Sequence, residues 1–386
     1  MKTGYHTNMI TIAFTGGGTA GHIYPGLAVA QELKNRLKGR DLRIFWIGSN
    51  VGMDRKLVEE AGIEFFGIPS GKLRRYFSLK TVPDFFRVIA GFFAAVKILK
   101  KEKARLLFSK GGYVSVPPCA AAAAVGIRVF THESDYSPGL ATKINARFAR
   151  KTAGKIFCAY KDTLSFLNAA DKRIALACGN PVRSQFRGAD SGKGLEFLKL
   201  PPGRRILLVL GGSQGAAQIN NLVRETIASL TRHYTVVHQH GAGNPQEIPA
   251  SEHYRPYPFI GAEMPHVLAA AELVLGRSGA GTIWECAALG KPMLLVPLSG
   301  AGTRGDQVEN ARFFQAAGAA LVMTGDGVTA QALAENIQNL AEDAEKRAAM
   351  ATASDKIGRE DAAAFIAGEI EAEFAEKFAN GQEGEK

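Results

Sequence analysis

No two cysteines of this 386-residue sequence stand close enough to suggest a pair: Cys119, Cys158, Cys178 and Cys286 are scattered, with no C-x-x-C among them. A disulfide frame and a thiolate zinc site are thereby excluded, and reduced, buried thiols are expected. D-x-D is missing as well. No divalent ion clamped between two aspartates on a diphosphate is expected, and no metal is assigned. His238-x-His240 has no cysteine or carboxylate at ligand spacing and reads as strand histidine. The opening MKTGYHTN lacks the apolar centre of a signal peptide, and Met9 is a candidate start beside Met1. The most apolar stretch, VIAGFFAAVKIL (88–99), is too short to span a bilayer and is broken by Lys97. Short tandem repeats and low-complexity linkers are absent.

What is present is a globular composition, 46% hydrophobic and 22% charged, with length enough for two domains, each with its own core. The formal charge of +11 is uneven: from Lys72 to Arg105, ten Lys/Arg face only Asp84 and Glu102. Nucleic acid and anionic lipid both suit such a stretch. MITIAFTGGGTAGHIYPGLAVAQEL (9–33) reads as strand, glycine loop and amphipathic helix, and RRILLVLGGSQGAAQINNLVRETI (204–227) repeats that order. Strand signals follow at 43–48, 105–112 and 128–134 in the first half. The second half has them at 235–241, 257–261, 273–279 and 292–298. Short apolar strands alternating with helices predict parallel sheets covered on both faces. The expected fold is α/β, two Rossmann-like parallel-sheet domains facing a central cleft lined by strand carboxyl ends.

Gly16, Gly18 and Gly21 have the G-x-G-x-x-G spacing of a dinucleotide loop. Yet the second strand ends in Gly48-Ser49-Asn50, without the acid that would hold a nicotinamide ribose. A plain turn explains the glycines but not His22, a titratable side chain placed directly after them. In GRSGAGTIWECAALGKP (276–292) a glycine turn opens a helix whose free N–H groups suit an anion, and Glu285 suits a ribose diol. The same residues also fit an ordinary cap made by Ser278 or Thr282 with Glu285. Both readings stay open at this point. Ser213 in GGSQG (211–215) and Arg183 in GNPVR (179–183) are further phosphate donors. Arginine, backbone amides and a helix dipole together can neutralise a diphosphate without metal.

Taken in order, GGGTAGHIYPG, SKGGYVSVP (109–117), HESDYSPGLATK (132–143), GNPVR, GGSQG, FIGAEM (259–264), RSGAGTIWE and RGDQVENA (304–311) resemble the MurG family of N-acetylglucosaminyltransferases of bacterial peptidoglycan synthesis. The resemblance implies a GT-B fold and inverting transfer from UDP-N-acetylglucosamine to the muramyl 4-hydroxyl of lipid I, giving lipid II, with no required cofactor. It implies donor contacts in the second half: Ile260 on the uracil through its backbone and Glu285 on the ribose. Arg183, Ser213, Ala280, Gly281 and Thr282 would hold the diphosphate, and Asp306 and Gln307 the sugar. The acceptor and its diphosphate would meet Gly17, Gly18, Thr19, Gly21, Tyr113 and Asp135. His22 is then the base that takes the hydroxyl proton, a task suited to an imidazole. Glu133 ranks second, with His132 beside it. Where the family often has HEQN, this chain has His132-Glu133-Ser134-Asp135, and Thr142 replaces a frequent Asn.

The expected organisation is an acceptor and membrane-docking domain at 1–175 and a UDP-sugar domain at 176–355. A helix at 356–376 would pack back on the first domain, and 377–386 would be a polar tail. Phe85, Ile89, Phe92, Val96 and Leu99 follow helical spacing and are expected in the core. Phe86 and Phe93, with Leu73, Arg74, Arg75, Tyr76 and Phe77, are expected on an anionic membrane surface. Attachment would be peripheral, on the cytoplasmic face of the inner membrane. Other wall-synthesis proteins are candidate partners; nucleic acid is not. The rivals are a diacylglycerol glucosyltransferase, a UDP-N-acetylglucosamine 2-epimerase and a non-catalytic sugar-nucleotide-binding subunit.

Overall fold

The computed structural model describes residues 9–71, 81–212, 215–244, 248–300 and 303–375, with backbone alone at 81–83. Ser213, Leu73, Arg74, Arg75, Tyr76 and Phe77 lie outside these residues. The chain divides into two compact units, Met1–Arg183 with Asp361–Lys386, and Ser184–Glu360.

The first unit is built on seven strands: β1 (Ile10–Thr15), β2 (Leu42–Ser49), β3 (Glu64–Ile68), β4 (Leu106–Ser109), β5 (Arg128–Glu133), β6 (Lys155–Cys158) and β7 (Ala175–Ala177). They lie in the order β3-β2-β1-β4-β5-β6-β7, every pair parallel. β1 and β4 are buried throughout, as a sheet covered on both faces requires. The order turns back between β1 and β4, and the carboxyl ends of those strands flank the crevice where open α/β sheets bind ligands.

Helix Tyr24–Arg36, started by Pro25, packs on one face of this sheet together with the last helix, Ala362–Ala372. Ala363, Ile366 and Ile370 of that last helix join Leu27 and Leu33 in the core. Burying each isoleucine contributes about 1.5–3 kcal/mol. Ion pairs Arg36–Glu371 at 2.8 Å and Lys155–Glu369 at 2.5 Å fix its rim. The opposite face is covered by helices that contribute Ala95, Leu99, Cys119, Ala122 and Ala146.

The second unit repeats the plan with β8 (Ile206–Leu210), β9 (Thr235–Gln239), β10 (Tyr254–Tyr257), β11 (Leu273–Gly276), β12 (Met293–Leu295) and β13 (Ala320–Val322). Their order is β10-β9-β8-β11-β12-β13, again all parallel. The order reverses between β8 and β11. The strand expected over 257–261 lies earlier, and the chain leaves the sheet at Tyr257. All four cysteines are buried, and none forms a disulfide.

Helix Thr81–Lys101 corrects one expectation. Phe85 is 56% exposed and Ile89 38%, while Phe86 and Phe93 are each 64% exposed. The inward stripe instead runs through Asp84, Gly91, Ala95 and Leu99. Small residues let the helix approach closely: a Cβ on Gly91 would stand 2.3 Å from the Pro69 carbonyl oxygen. Phe85, Phe86, Ile89 and Phe93 are therefore turned outward, whereas Leu99 is buried and Phe92 and Val96 pack against the core, as expected of them. Among the described residues no helix is long and apolar enough to cross a membrane.

Candidate active site

In the first unit the two central strand ends are joined, Lys110 N–H donating to Thr15 O at 2.8 Å. Beyond β1 the glycine loop leads into a single tight turn, Ala20–His22. Beyond β4 come Gly111 and Gly112, and Gly112 has φ +77°. A Cβ there would stand 2.6 Å from Gly17 O and 2.9 Å from His22 Cδ2. The glycine pair is thus a floor for the imidazole, and a side chain at 112 would displace it. His22 itself is half-buried.

Asp54 is a residue that motif reading missed. It is 1% exposed and accepts from Gly18 N at 3.0 Å and Ser49 N at 3.2 Å. Burial raises its pKa, against the pull of those two amides. Gly17 must be bare, since a Cβ would sit 2.0 Å from Asp54 Oδ2. The Gly18 amide is thus held by Asp54. Tyr113 packs its ring on Gly18, and burial raises its phenol pKa. Thr19 and Gly21 lie exposed in the same loop. Beside it a cavity of about 650 Å³ is lined by Gly18, Asn50, Asp54, Asp84, Arg87 and Tyr113, among others.

At the end of β5 the other candidate bases are committed. His132 is fully buried, and its Nε2 lies 3.0 Å from Gly179 O. A carbonyl only accepts, so Nε2 carries the hydrogen and Nδ1, which has no hydrogen-bond partner, carries the lone pair. Burial, then the nearby Lys110 cation, holds its pKa well below the ordinary histidine value. Glu133 accepts from Asp135 N at 3.0 Å and from Gly139 N at 2.9 Å, closing the loop that leads to helix Leu140–Lys151. Asn145, also missed, ties Ser109 and Ser115 together at 3.1 and 2.8 Å. The Arg183 guanidinium lies 4.3 Å from the centre of the Tyr24 ring.

The second unit removes one of the two readings of its glycine turn. Helix Ala280–Ala288 starts after Gly279 with no side-chain cap. Ser278 is turned away and donates to Gln307 O at 2.7 Å, so the capping alternative falls and the first N–H groups meet no capping side chain. Ala280, Gly281, Thr282 and Glu285 are all half-buried along this helix. Ile260 is 2% exposed, and its N–H donates to Gln239 Oε1 at 2.9 Å. Gln239, which motif reading also missed, donates in turn to Gly212 O at 3.3 Å. Gln307 Oε1 accepts from Leu298 N at 3.0 Å, and Asp306 lies 3.8 Å from Arg304. His238 has both ring nitrogens bonded, to Tyr254 and Asn220, and burial lowers its pKa to about 4.

Residues 12–154 match the glycosyltransferase family 28 N-terminal domain, and residues 206–366 match the family 28 C-terminal domain. The UDP-N-acetylglucosamine--N-acetylmuramyl-(pentapeptide) pyrophosphoryl-undecaprenol N-acetylglucosamine transferase of Treponema denticola is 47% identical over 340 residues, 83% of this chain and 85% of that protein. Its counterpart in Shouchella clausii is 41% identical over 333 residues, 86% and 91% respectively. Among solved structures, Acinetobacter baumannii MurG aligns with TM-score 0.70 at 23% identity, over 94% of this chain and 99% of that one. The kitacinnamycin glycotransferase aligns with TM-score 0.69 at 17% identity over the same shares. These two structural likenesses speak to the fold alone.

Proposed function

The chain belongs to glycosyltransferase family 28, among the UDP-N-acetylglucosamine--N-acetylmuramyl-(pentapeptide) pyrophosphoryl-undecaprenol N-acetylglucosamine transferases, and from that premise we propose its reaction. It transfers N-acetylglucosamine from UDP-N-acetylglucosamine to the muramyl 4-hydroxyl of lipid I, with inversion, giving lipid II.

In this reading the second unit holds the donor and the first presents the acceptor and the base. The uncapped helix start supports diphosphate binding at Ala280, Gly281 and Thr282, with Arg183 and Ser213 adding a cation and a hydroxyl. Glu285 takes the ribose diol, and the Ile260 carbonyl meets the uracil. Asp306 and Gln307 face the sugar. As the bond from the anomeric carbon to UDP breaks, charge grows on the leaving diphosphate. Helix-end N–H groups and Arg183 stabilise that charge, so the departure needs neither an acid nor an obligatory metal. His22 accepts the 4-hydroxyl proton as the oxygen attacks from the opposite face.

The observation that carries this reading is the half-buried His22 ring held on Gly112 at the β1/β4 reversal. The enclosure of His132, and the loop N–H groups already held by both Glu133 oxygens, favour His22 over them. The outward Phe85, Phe86, Ile89 and Phe93 support peripheral attachment to the anionic cytoplasmic face of the membrane. The decisive experiment offers labelled UDP-N-acetylglucosamine with lipid I, with diacylglycerol, or with no acceptor. Labelled disaccharide lipid with lipid I alone is expected. Label on diacylglycerol, or an epimerised UDP-sugar without acceptor, would overturn the assignment.

A further inference from the structure

Lysine is almost never fully buried unless paired, yet Lys110, the first residue past β4, is 1% exposed. Its stem runs beneath the first glycine loop. A Cβ on Gly16 would stand 3.1 Å from the Lys110 Cβ, and one on Gly26 3.6 Å, so bare glycines make its room. The ammonium donates to Ser134 Oγ, and Ser134 Oγ–H donates to Asn180 Oδ1 at 2.6 Å. A hydroxyl has one hydrogen, so a donating lysine sets the direction of this chain.

Ser134 stands between two acids, Glu133 and Asp135. Burial pulls the Lys110 pKa down to about 8, against the opposing pull of Glu133, Asp135 and Cys178. On its other side the cation helps keep His132 neutral, and His132 bonds Gly179, one residue before Asn180. A single buried charge therefore links β4, β5 and the 179–180 turn that leads to Arg183. This segment borders His22: a Cβ on Gly111 would be 3.9 Å from His22 Nδ1 and 3.7 Å from His132 O. Charged groups with displaced pKa values concentrate at sites of chemistry.

We propose that Lys110 is a positioning residue for the transfer, its ammonium offsetting Asp135 and, through Ser134 and Asn180, holding the His132–Asp135 segment in place beside His22. Lys110 does not touch the acceptor and acts through that segment. The inference rests on the transferase reading, and the experiment separates the two.

Transfer to lipid I is measured across pH for the wild type, Lys110→Met and Ser134→Ala, with melting temperature and UDP-N-acetylglucosamine affinity for each. Lys110→Met should lose about thirtyfold in kcat at unchanged donor affinity. Ser134→Ala should lose about three- to tenfold in kcat, also at unchanged donor affinity. Wild-type kcat should fall above about pH 8 as the ammonium deprotonates, and Lys110→Met should lack that alkaline limb.

A merely structural lysine would shift melting and leave the alkaline limb in place. Wild-type kcat in Lys110→Met, or an alkaline limb retained in folded Lys110→Met, would overturn the proposal. If Lys110→Met does not fold, wild-type kcat in Ser134→Ala does the same. No product from the wild type itself would instead remove the transferase reading, and this role with it.

Discussion

The two reversal points share a strand order and differ in what fills them. Beyond β1 and β4 the first unit buries side chains that carry charge or titrate: Asp54, Lys110, His132 and Glu133, each bonded to a named neighbour. Beyond β8 and β11 the second unit offers mainly backbone, an uncapped helix start and a loop tied through Gln239 to Ile260. The sheet supplies the place and the loops supply the chemistry. A nucleoside diphosphate can be met by amides and a dipole. A proton transfer needs one side chain held in one direction, and that direction is secured by packing.

Apart from Arg183, assigned above to the donor diphosphate, changes in the first unit should therefore strike turnover, and changes in the second should strike donor affinity. Apart from His22 itself, the largest effect is expected from Gly112→Ala. Its φ of +77° and its contact with His22 forbid the methyl without moving the imidazole. A shift of about 1 Å costs about a hundredfold in kcat, and steady-state kinetics beside a donor titration would check it. Unchanged kcat would break the division.

Glu285→Ala comes next. Loss of a charged hydrogen bond is worth about 1.5–3 kcal/mol, so isothermal titration should show donor Kd rising about ten- to hundredfold, with kcat at saturation much less altered. A smaller effect concerns the outward face of helix Thr81–Lys101. Replacing Phe86, Phe93, Arg74 and Arg75 together should weaken sedimentation with anionic vesicles by about tenfold or more, since each basic residue contributes about 1 kcal/mol. Turnover on a short-chain, soluble acceptor should persist. Full retention on the vesicles would remove that surface from the account.

The smallest effect is at Asp54. Burial raises its pKa in the folded state above the ordinary 3.8, so the folded protein binds a proton that the unfolded chain has already released. Stability contributed here falls as pH rises through the window above 3.8. Asp54→Asn removes that slope while keeping an oxygen for the Gly18 amide. The melting temperature of the variant minus that of the wild type should grow from about pH 4 to pH 7. A constant difference would show that Asp54 titrates normally.

Both sheets and both glycine turns were legible because they are local: apolar runs, glycine spacing and a histidine directly after a loop. β7 and β13 were not, since Ala-Leu-Ala and Ala-Leu-Val are too short to carry a period. Asp54, Lys110, Asn145 and Gln239 escaped for another reason. Each has a partner 21 or more residues away, as Gly18 is from Asp54, and only the strand order brings the two together. The apolar stripe misled at Phe85 and Ile89, where bulk was taken as the sign of the inner face, and held at Phe92, Val96 and Leu99. Gly91 and Ala95 share that inner face.

The division between the two units is tested most directly in one preparation of His22→Ala, by single-turnover transfer to lipid I at saturating UDP-N-acetylglucosamine with donor Kd measured on the same sample. Turnover lower by about a hundredfold or more, with Kd unchanged, is the predicted result. Turnover close to that of the wild type, or a loss wholly explained by weaker donor binding, would contradict it.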